Sequence, residues 1–227
     1  MKLIGEIQPL IQMNRKIRLY LEQYKQLYGN EAFINMNSAL KEDTNSYKLE
    51  KYFLSIKDCM KCALGKNRKN FVFGMGNPNS DIVFVGEAPG KEEDLQGLPF
   101  VGRSGKLLDK ILAAINLSRN DVYILNVLKC RPPENRDPLK EEIELCENYL
   151  KHQLKIIKPK LIVALGRISA MTLLKTKTSL NEMRNNIHKY EDIDFLVTYH
   201  PAALLRNPNL KKYAWEDFKL IRDKYLA

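Results

Sequence analysis

The amino-acid sequence predicts an α/β fold: a central four-stranded parallel sheet flanked by helices on both faces, with a helical extension at the N-terminus. Two patterns predict the sheet. Four short apolar runs, each ended by glycine or polar residues, are typical of buried parallel strands, and amphipathic segments separate them. Strands that alternate with helices favour a parallel sheet covered on both faces.

The first fifty residues differ from the remainder in pattern. Apolar residues from Leu10 to Leu27 recur at helical spacing among charged and amide side chains, until Gly29 and Asn30 end the pattern. We interpret residues 1–50 as a helical N-terminal extension. It either packs on the main domain or serves as a partner-binding arm. Residues 51–227 are expected to form the main α/β domain.

The remaining elements follow in order along the chain. The strands are predicted at residues 82–85, 122–127, 161–165 and 195–198, and the helices at 105–115, 138–157, 167–174 and 210–225. The second of these helices has a proline near its first turn, glutamates early and lysines late. That order complements the helix dipole and supports the assignment.

Polar residues follow every predicted strand. Glu87 comes after the first strand, Asn126 and Cys130 after the second, Gly166 after the third and His200 after the fourth. In open α/β sheets, ligands bind outside the carboxyl ends of the strands. The sequence therefore predicts one functional rim that collects these residues.

The four cysteines form a close pair and a distant pair. Cys59 and Cys62 are separated by two residues, and Cys130 and Cys146 by fifteen. With no secretory signal or transmembrane run, disulfides are the poorer explanation. The spacing favours ligation of zinc or of an iron–sulfur cluster and does not choose between them; unrelated buried thiols are the alternative.

The chain of 227 residues is basic, with 37 Lys and Arg against 27 Asp and Glu and a net charge of +10. This charge is typical of proteins that bind nucleic acid, although general solubility explains it equally well. No stretch approaches the roughly 18 apolar residues of a membrane span. The start of the chain does not resemble a signal peptide. We therefore expect a cytoplasmic, nucleoid-associated protein that binds no membrane.

Three segments resemble, in order, the signatures of the family 4 uracil-DNA glycosylases. They are VGEAPGKEEDLQGLPFVGRSGKLL at residues 85–108, NVLKCRPPENRDP at 126–138 and HPAALLR at 200–206. The cysteine spacing matches the [4Fe-4S] ligands of that family as well. The resemblance begins near Leu54, and it implies that residues 51–227 form the catalytic domain. It leaves the first fifty residues outside, and any partner that they bind is expected to be a repair or replication protein.

The resemblance implies a monofunctional, monomeric enzyme that acts on uracil in single- and double-stranded DNA and initiates base excision repair. It implies catalytic roles for Glu87 and His200, and a [4Fe-4S] cluster on Cys59, Cys62, Cys130 and Cys146. The expected uracil pocket comprises Gly86, Ala88, Pro89, Gly90, Phe100 and Asn126. The expected contacts to DNA come from Arg131, Arg136, Leu204, Leu205 and Arg206.

The chemistry of these side chains agrees with the implied roles. Phe100 offers a ring on which a flipped pyrimidine can stack. Asn126 donates and accepts at once, as uracil O4 and N3–H require. In the family, the histidine that matches His200 contacts uracil O2 and stabilises the departing base. Leu204 and Leu205 beside Arg206 suit a wedge into the base stack. Read singly, each of these residues is also compatible with an ordinary structural role.

Two alternatives stay open from the sequence. A relative that binds uracil-DNA covalently uses a histidine in a basic insertion after the second signature, and this chain has none there. A non-catalytic iron–sulfur module that binds DNA or accompanies a polymerase is the other alternative. Family 1 enzymes have Asp, Pro and Tyr where this chain has Ala88, Pro89 and Gly90, so the sequence does not say how water is oriented or thymine rejected.

Overall fold

The computed structural model describes residues 44–226. By its internal contacts the chain divides into two units, Met1–Lys48 and Leu49–Ala227. The predicted extension at residues 1–50 lies almost wholly outside the described residues, so its helical character and its partner remain predictions. All that follows concerns the second unit.

One six-stranded sheet forms the centre of this unit. In the order β1-β3-β2-β4-β6-β5, the strands are Met75–Gly76 (β1), Tyr123–Asn126 (β3), Ile82–Gly86 (β2), Leu161–Leu165 (β4), Ile193–Thr198 (β6) and His188–Tyr190 (β5). The four inner strands are parallel, with Val85 opposite both Leu125 and Ala164, and Ala164 opposite Val197. These are the four strands that the apolar runs predicted.

The predicted four-stranded parallel sheet was incomplete. Strand β1 pairs antiparallel with β3, and β5 pairs antiparallel with β6. The sheet is therefore mixed, and it has one additional strand at each edge. Met75–Gly76 is only two residues long, and His188–Tyr190 contains two polar residues among its three. Edge strands of this kind have no continuous apolar run, because neighbouring strands and helices bury them only in part.

The inner strands bury both of their faces. Along β2, Val83 and Val85 pack into one apolar cluster, whereas Ile82 and Phe84 pack into the other. This alternation is the two-residue period of a β-strand. Because both faces are covered, nearly every position is apolar, which explains why the strands appear in the sequence as continuous runs.

Nine helices and two 3₁₀ turns within residues 44–226 surround the sheet. The helices are Asn45–Ile56 (α1), Leu64–Asn67 (α2), Lys91–Gln96 (α3), Arg103–Ala114 (α4), Lys140–Ile157 (α5), Arg167–Leu174 (α6), Leu180–Met183 (α7), Pro201–Arg206 (α8) and Lys211–Tyr225 (α9), and the 3₁₀ turns are Pro133–Asn135 and Pro208–Leu210. The four predicted helices appear as α4, α5, α6 and α9, with ends within two residues of the prediction. None of the helices among residues 44–226 has the length and apolar character needed to span a membrane.

A buried ion pair fixes the end of β6, directly before His200. Arg184 and Asp217 are 5% and 3% exposed, and the guanidinium donates to both carboxylate oxygens at 2.9 Å. Thr198 at the end of β6 donates to the same carboxylate at 2.6 Å. The Arg184 guanidinium also lies 4.4 Å from the centre of the Tyr199 ring. The pair therefore joins three elements behind the carboxyl edge of the sheet.

Replacing Arg184 with methionine should destabilise the protein strongly, because Asp217 would remain buried without its cation. Removal of one partner of a buried pair costs about 3–5 kcal/mol in the free energy of unfolding. The control is Arg222→Met, which breaks an exposed pair with Asp223 and should cost much less, because solvent screens that pair. Chemical denaturation of both variants measures the two costs, and equal costs would contradict a special role for the buried pair.

Candidate active site and cysteine centre

A cavity of about 460 Å³ opens at the carboxyl ends of the parallel strands. Its walls come from the loops after β2, β3, β4 and β6, which is the edge that the polar residues predicted. The predicted site residues that line it are Glu87, Ala88, Pro89, Gly90, Phe100, Asn126, Arg136, His200 and Arg206. Four others do not line it: Gly86, Arg131, Leu204 and Leu205.

Gly86 contributes to the site through the space that it leaves. A Cβ atom at this position would lie 2.3 Å from Asn126 Oδ1 and 2.6 Å from Phe100 Cζ. Because glycine has no Cβ, the phenyl ring and the amide can both pack over the end of β2. Gly86 therefore supports the pocket from beneath.

Phe100 has a left-handed backbone, with φ of 53°. This conformation is uncommon for a bulky residue and needs support from its surroundings. Arg119 provides it, since its guanidinium donates to the carbonyls of Pro99, at 3.0 Å, and of Phe100. The ring that results is 4% exposed and lies 5.5 Å, centre to centre, from the His200 ring.

Asn126 ends β3 and is 2% exposed. Its side-chain oxygen is buried and has no hydrogen-bond partner within the described part of the chain. Buried polar atoms are nearly always paired, so an unpaired acceptor in a cavity wall indicates a donor supplied by a ligand. Sequence alone could not distinguish this arrangement from an ordinary polar residue at a strand end.

His200 caps the N-terminus of α8 through its ring. Its Nδ1 accepts a hydrogen bond of 3.1 Å from the backbone N–H of Ala202. Because an amide N–H can only donate, Nδ1 carries no proton, and the neutral ring must hold its proton on Nε2. Burial, and then the charge of Arg206, lower the pKa of His200 to about 4. At neutral pH the ring is therefore an uncharged donor.

Glu87 follows β2 and lines the same cavity. Burial, and then the charge of Asp137, raise the pKa of its carboxyl to about 7, against the opposing charges of Arg167 and Arg206. A carboxylate that titrates near neutrality in a cavity is typical of a catalytic site. The two predicted catalytic side chains, Glu87 and His200, thus line one cavity, and the pKa of each is strongly shifted.

Glu93 braces the loop that follows β2. Its carboxylate accepts from the backbone N–H groups of Gly90, Val101 and Gly102 at 3.1, 2.9 and 2.8 Å, and the residue is 7% exposed. It therefore fixes the loop after β2 against the segment that carries Phe100. A glutamate at the third position of α3 is a capping signal that could have predicted this role.

The cysteines lie together in one apolar cluster beneath the loop after β3. Cys130 and Cys146 are buried, Cys59 and Cys62 are half-buried, and none of the four forms a disulfide. Burial raises the pKa of Cys130 to about 11 and that of Cys146 to about 12, with neighbouring cysteines contributing. Within residues 44–226, no three His, Cys, Asp or Glu side chains are arranged to hold a metal ion.

Hydrogen-bond donors approach three of the sulfurs. Tyr149 donates its hydroxyl to Cys59 Sγ at 3.0 Å, the Lys129 backbone N–H reaches Cys146 Sγ at 3.3 Å, and the Arg68 guanidinium reaches Cys130 Sγ at 3.5 Å. Such donors stabilise negative charge on sulfur. Burial opposes ionisation of Cys130 and Cys146, whereas the donors from Arg68 and Lys129 favour it.

Lys129 connects this centre to the pocket. Its side chain is fully buried, and the ammonium donates to the carbonyls of Asn126 at 2.9 Å and Phe73 at 3.2 Å. Burial lowers the pKa of Lys129 to about 8. No pattern in the sequence predicted this role for Lys129, because a lysine after an apolar strand is ordinarily exposed.

The family is decided by comparison with known proteins. A model described as the uracil DNA glycosylase superfamily matches residues 73–219, more than half of the chain. This chain belongs to the uracil DNA glycosylase superfamily. The resemblance predicted from the three signatures is thereby confirmed.

Several curated relatives are type-4 uracil-DNA glycosylases. That of Archaeoglobus fulgidus is 48% identical over 174 residues, which cover 73% of this chain and 87% of the relative. That of Sulfurisphaera tokodaii is 47% identical over 184 residues, or 77% and 84% of the two chains. That of Thermotoga maritima is 44% identical over 173 residues, or 72% and 88%.

The structure of this glycosylase-family chain corrects one expected contact to DNA. Leu204 is 2% exposed and packs with Tyr199 and Ala214, because the apolar face of α8 turns into the core. It is therefore not available as a wedge. Leu205 is 38% exposed and remains a candidate wedge beside Arg206.

The two predicted basic contacts after β3 are each held by a neighbour. Arg136 forms a bidentate pair with the buried carboxylate of Glu142 at 2.9 and 2.6 Å, and it also lines the cavity. Arg131 donates to the Asn135 side chain at 2.8 Å on the exposed side of the loop. Arg136 therefore lies at the cavity and Arg131 does not, and the roles of both in DNA binding remain predictions.

Glu87→Gln should stabilise the protein at alkaline pH and have little effect at pH 5. A carboxyl whose pKa is raised by folding opposes folding once it ionises, so its cost appears as pH rises from about 4.5 to 7. Glutamine removes that cost. Melting temperatures of the variant and the parent at pH 5 and pH 8 measure the difference. Glu50→Gln, at an exposed position of α1, is the control, and an equal pH response in both variants would contradict the assignment.

Proposed function

We propose that this chain is a uracil-DNA glycosylase that hydrolyses the N-glycosidic bond of a flipped uracil and leaves an abasic site in DNA. One observation carries the proposal: residues from three separate signatures, Phe100, Asn126 and His200, line one cavity. Five curated relatives that are 44–48% identical to this chain are named for the same activity.

Recognition of the base is assigned to Phe100 and Asn126. A uracil in the cavity would stack on the Phe100 ring, an interaction worth about 1–3 kcal/mol per base. The unpaired side-chain oxygen of Asn126 would accept from uracil N3–H, and its amide nitrogen would donate to O4. Cytosine offers the opposite pattern at these two atoms, so the amide favours uracil.

His200 is assigned to the departing base. As the glycosidic bond breaks, negative charge develops on the uracil and positive charge on the sugar. A neutral imidazole with its proton on Nε2 can donate to uracil O2 and stabilise that charge, as the donors of an oxyanion hole do. Because its pKa lies near 4, His200 serves without a change of protonation at neutral pH.

Glu87 is assigned to the attacking water. Its carboxylate form can accept a proton from water or orient it towards the sugar carbon. Glu87 would thus replace the aspartate that family 1 enzymes have in this loop, where this chain has Ala88. With a pKa near 7, the ionised form becomes dominant above neutrality, so the rate of excision should rise with pH through this region.

The cysteine centre fits a [4Fe-4S] cluster on Cys59, Cys62, Cys130 and Cys146. Four thiolates suit such a cluster, and Tyr149, the Lys129 backbone and Arg68 donate to three of the four sulfurs. Because no three His, Cys, Asp or Glu side chains in residues 44–226 are arranged around one metal ion, the proposal rests on this set of ligands and donors. The cluster would tie the loop before α2 to the loop after β3 and to α5, which supports the segment that follows Asn126.

The proposed substrate is uracil in single- or double-stranded DNA, bound by a monomer, with Arg131, Arg136, Leu205 and Arg206 contacting the strand. The alternatives, a covalent uracil binder and a non-catalytic iron–sulfur module, leave no abasic site. Alkali cleaves DNA at abasic sites. A uracil-containing oligonucleotide treated with the protein and then with alkali should therefore be cut at the uracil, and an uncut strand would reject the proposal.

His200→Ala should lower the single-turnover rate of uracil release by about 10²–10³-fold, as removal of one oxyanion donor does. Binding of uracil-DNA should weaken much less, because the contact strengthens only as charge develops. The control is His152→Ala, at an exposed position of α5. Full single-turnover activity in His200→Ala would move the chemistry to Glu87 or to backbone amides of the loop after β2.

The purified protein should be brown and contain about four irons and four sulfides per chain, as one [4Fe-4S] cluster requires. Cys130→Ala should lose the iron and lower the melting temperature, since Cys130 links the loop after β3 to the centre. Metal and sulfide analysis after anaerobic purification measures the content. Stoichiometric zinc without iron would contradict the cluster.

A further inference from the structure

A small apolar cluster fixes α8 against two other helices. Leu204 packs with Tyr199 and Ala214, and partly buried residues from α4 and the 3₁₀ turn, Leu107 and Leu210, close the cluster. Helices α4, α8 and α9 therefore meet at one place beside the cavity. Since Leu204 faces inward, the next residues of α8, Leu205 and Arg206, are exposed.

Helix α4 presents a cationic stripe next to this junction. Arg103, Lys106 and Lys110 are spaced three and four residues apart, so they share one face of the helix, and all three are exposed. Leu107, which packs into the junction, lies beside that face. The stripe therefore borders the surface on which Leu205 is exposed.

A further cation stands across the junction. Lys211 is exposed at the first position of α9, directly after the 3₁₀ turn that follows α8. In the described part of the chain, Lys211 and the three cations of α4 form no ion pair. Acidic neighbours are already engaged, since Asp109 pairs with Arg119 and Glu216 with Lys219.

We propose that Arg103, Lys106, Lys110 and Lys211 form a phosphate-binding rim around Leu205. The rim would hold the DNA backbone that flanks the flipped nucleotide. This inference rests on the proposed function and adds contacts to DNA beyond the five residues that the resemblance implied.

The ligand that this rim would bind, the DNA backbone, is a polyanion with closely spaced charges. Unpaired lysines and arginines on a surface gain affinity for DNA by releasing its counterions. Contacts to phosphates also set the register of a protein on the strand without reading sequence. A wedge such as Leu205 needs that register, because it must enter the stack at the position vacated by the target base.

The test compares two double variants of equal charge. Lys106→Gln with Lys110→Gln alters the rim, and Lys155→Gln with Lys158→Gln alters exposed lysines at the end of α5, beside the opposite edge of the sheet. Dissociation constants are measured over a series of salt concentrations for a short duplex that carries one stable abasic-site analogue. Loss of two phosphate contacts should reduce the slope of log Kd against log salt by about 1.8 in the rim variant. The control variant should keep the parental slope.

The proposed rim would be refuted by an unchanged slope of log Kd against log salt in the rim variant, or by an equal reduction of that slope in the control variant. Release of uracil by the unaltered chain is assayed in parallel. An active parent with an unchanged rim slope removes this inference and leaves the glycosylase function intact, whereas an inactive parent counts against the function itself. Far-UV circular dichroism of both variants verifies that each is folded.

Discussion

Parallel pairing of the four inner strands is the constraint on which the site depends. Because β2, β3, β4 and β6 run in one direction, the residues that follow them arrive at one edge, although more than a hundred residues separate Glu87 from His200. Close pairing also leaves little room there. Gly86 is the consequence, since a larger residue at the end of β2 would displace Asn126 and Phe100.

Removal of water from this edge sets the chemistry of the side chains. Burial disfavours charge, so it raises the pKa of Glu87 to about 7 and lowers that of His200 to about 4. The same environment therefore produces an acid–base group that titrates near neutrality and a neutral hydrogen-bond donor. The hydrogen bond from the Ala202 N–H to His200 Nδ1 fixes the tautomer of the ring, with its proton on Nε2. Burial and one backbone hydrogen bond thus give Glu87 and His200 different protonation behaviour.

The sequence predicted what depends on local pattern and missed what depends on packing. The inner strands were visible because both faces are buried, and the cysteines and cavity residues followed from position and from the family signatures. The edge strands β1 and β5 were not visible, being short and partly polar. The bracing by Glu93 had a local signal, its place at the third position of α3. The burial of Leu204 and of Lys129 arises from contacts between elements distant in sequence. No local pattern encodes such contacts.

The central claim is that the cavity reads the hydrogen-bonding edge of a flipped uracil through Asn126. The most direct test is the ratio of uracil to cytosine excision by Asn126→Asp, measured in single turnover on oligonucleotides that differ only in the target base. Aspartate loses the donor to uracil O4 and can accept from the cytosine amino group, so the ratio should fall through slower uracil release and faster cytosine release. An unchanged ratio, with uracil released at the parental rate, would contradict the claim.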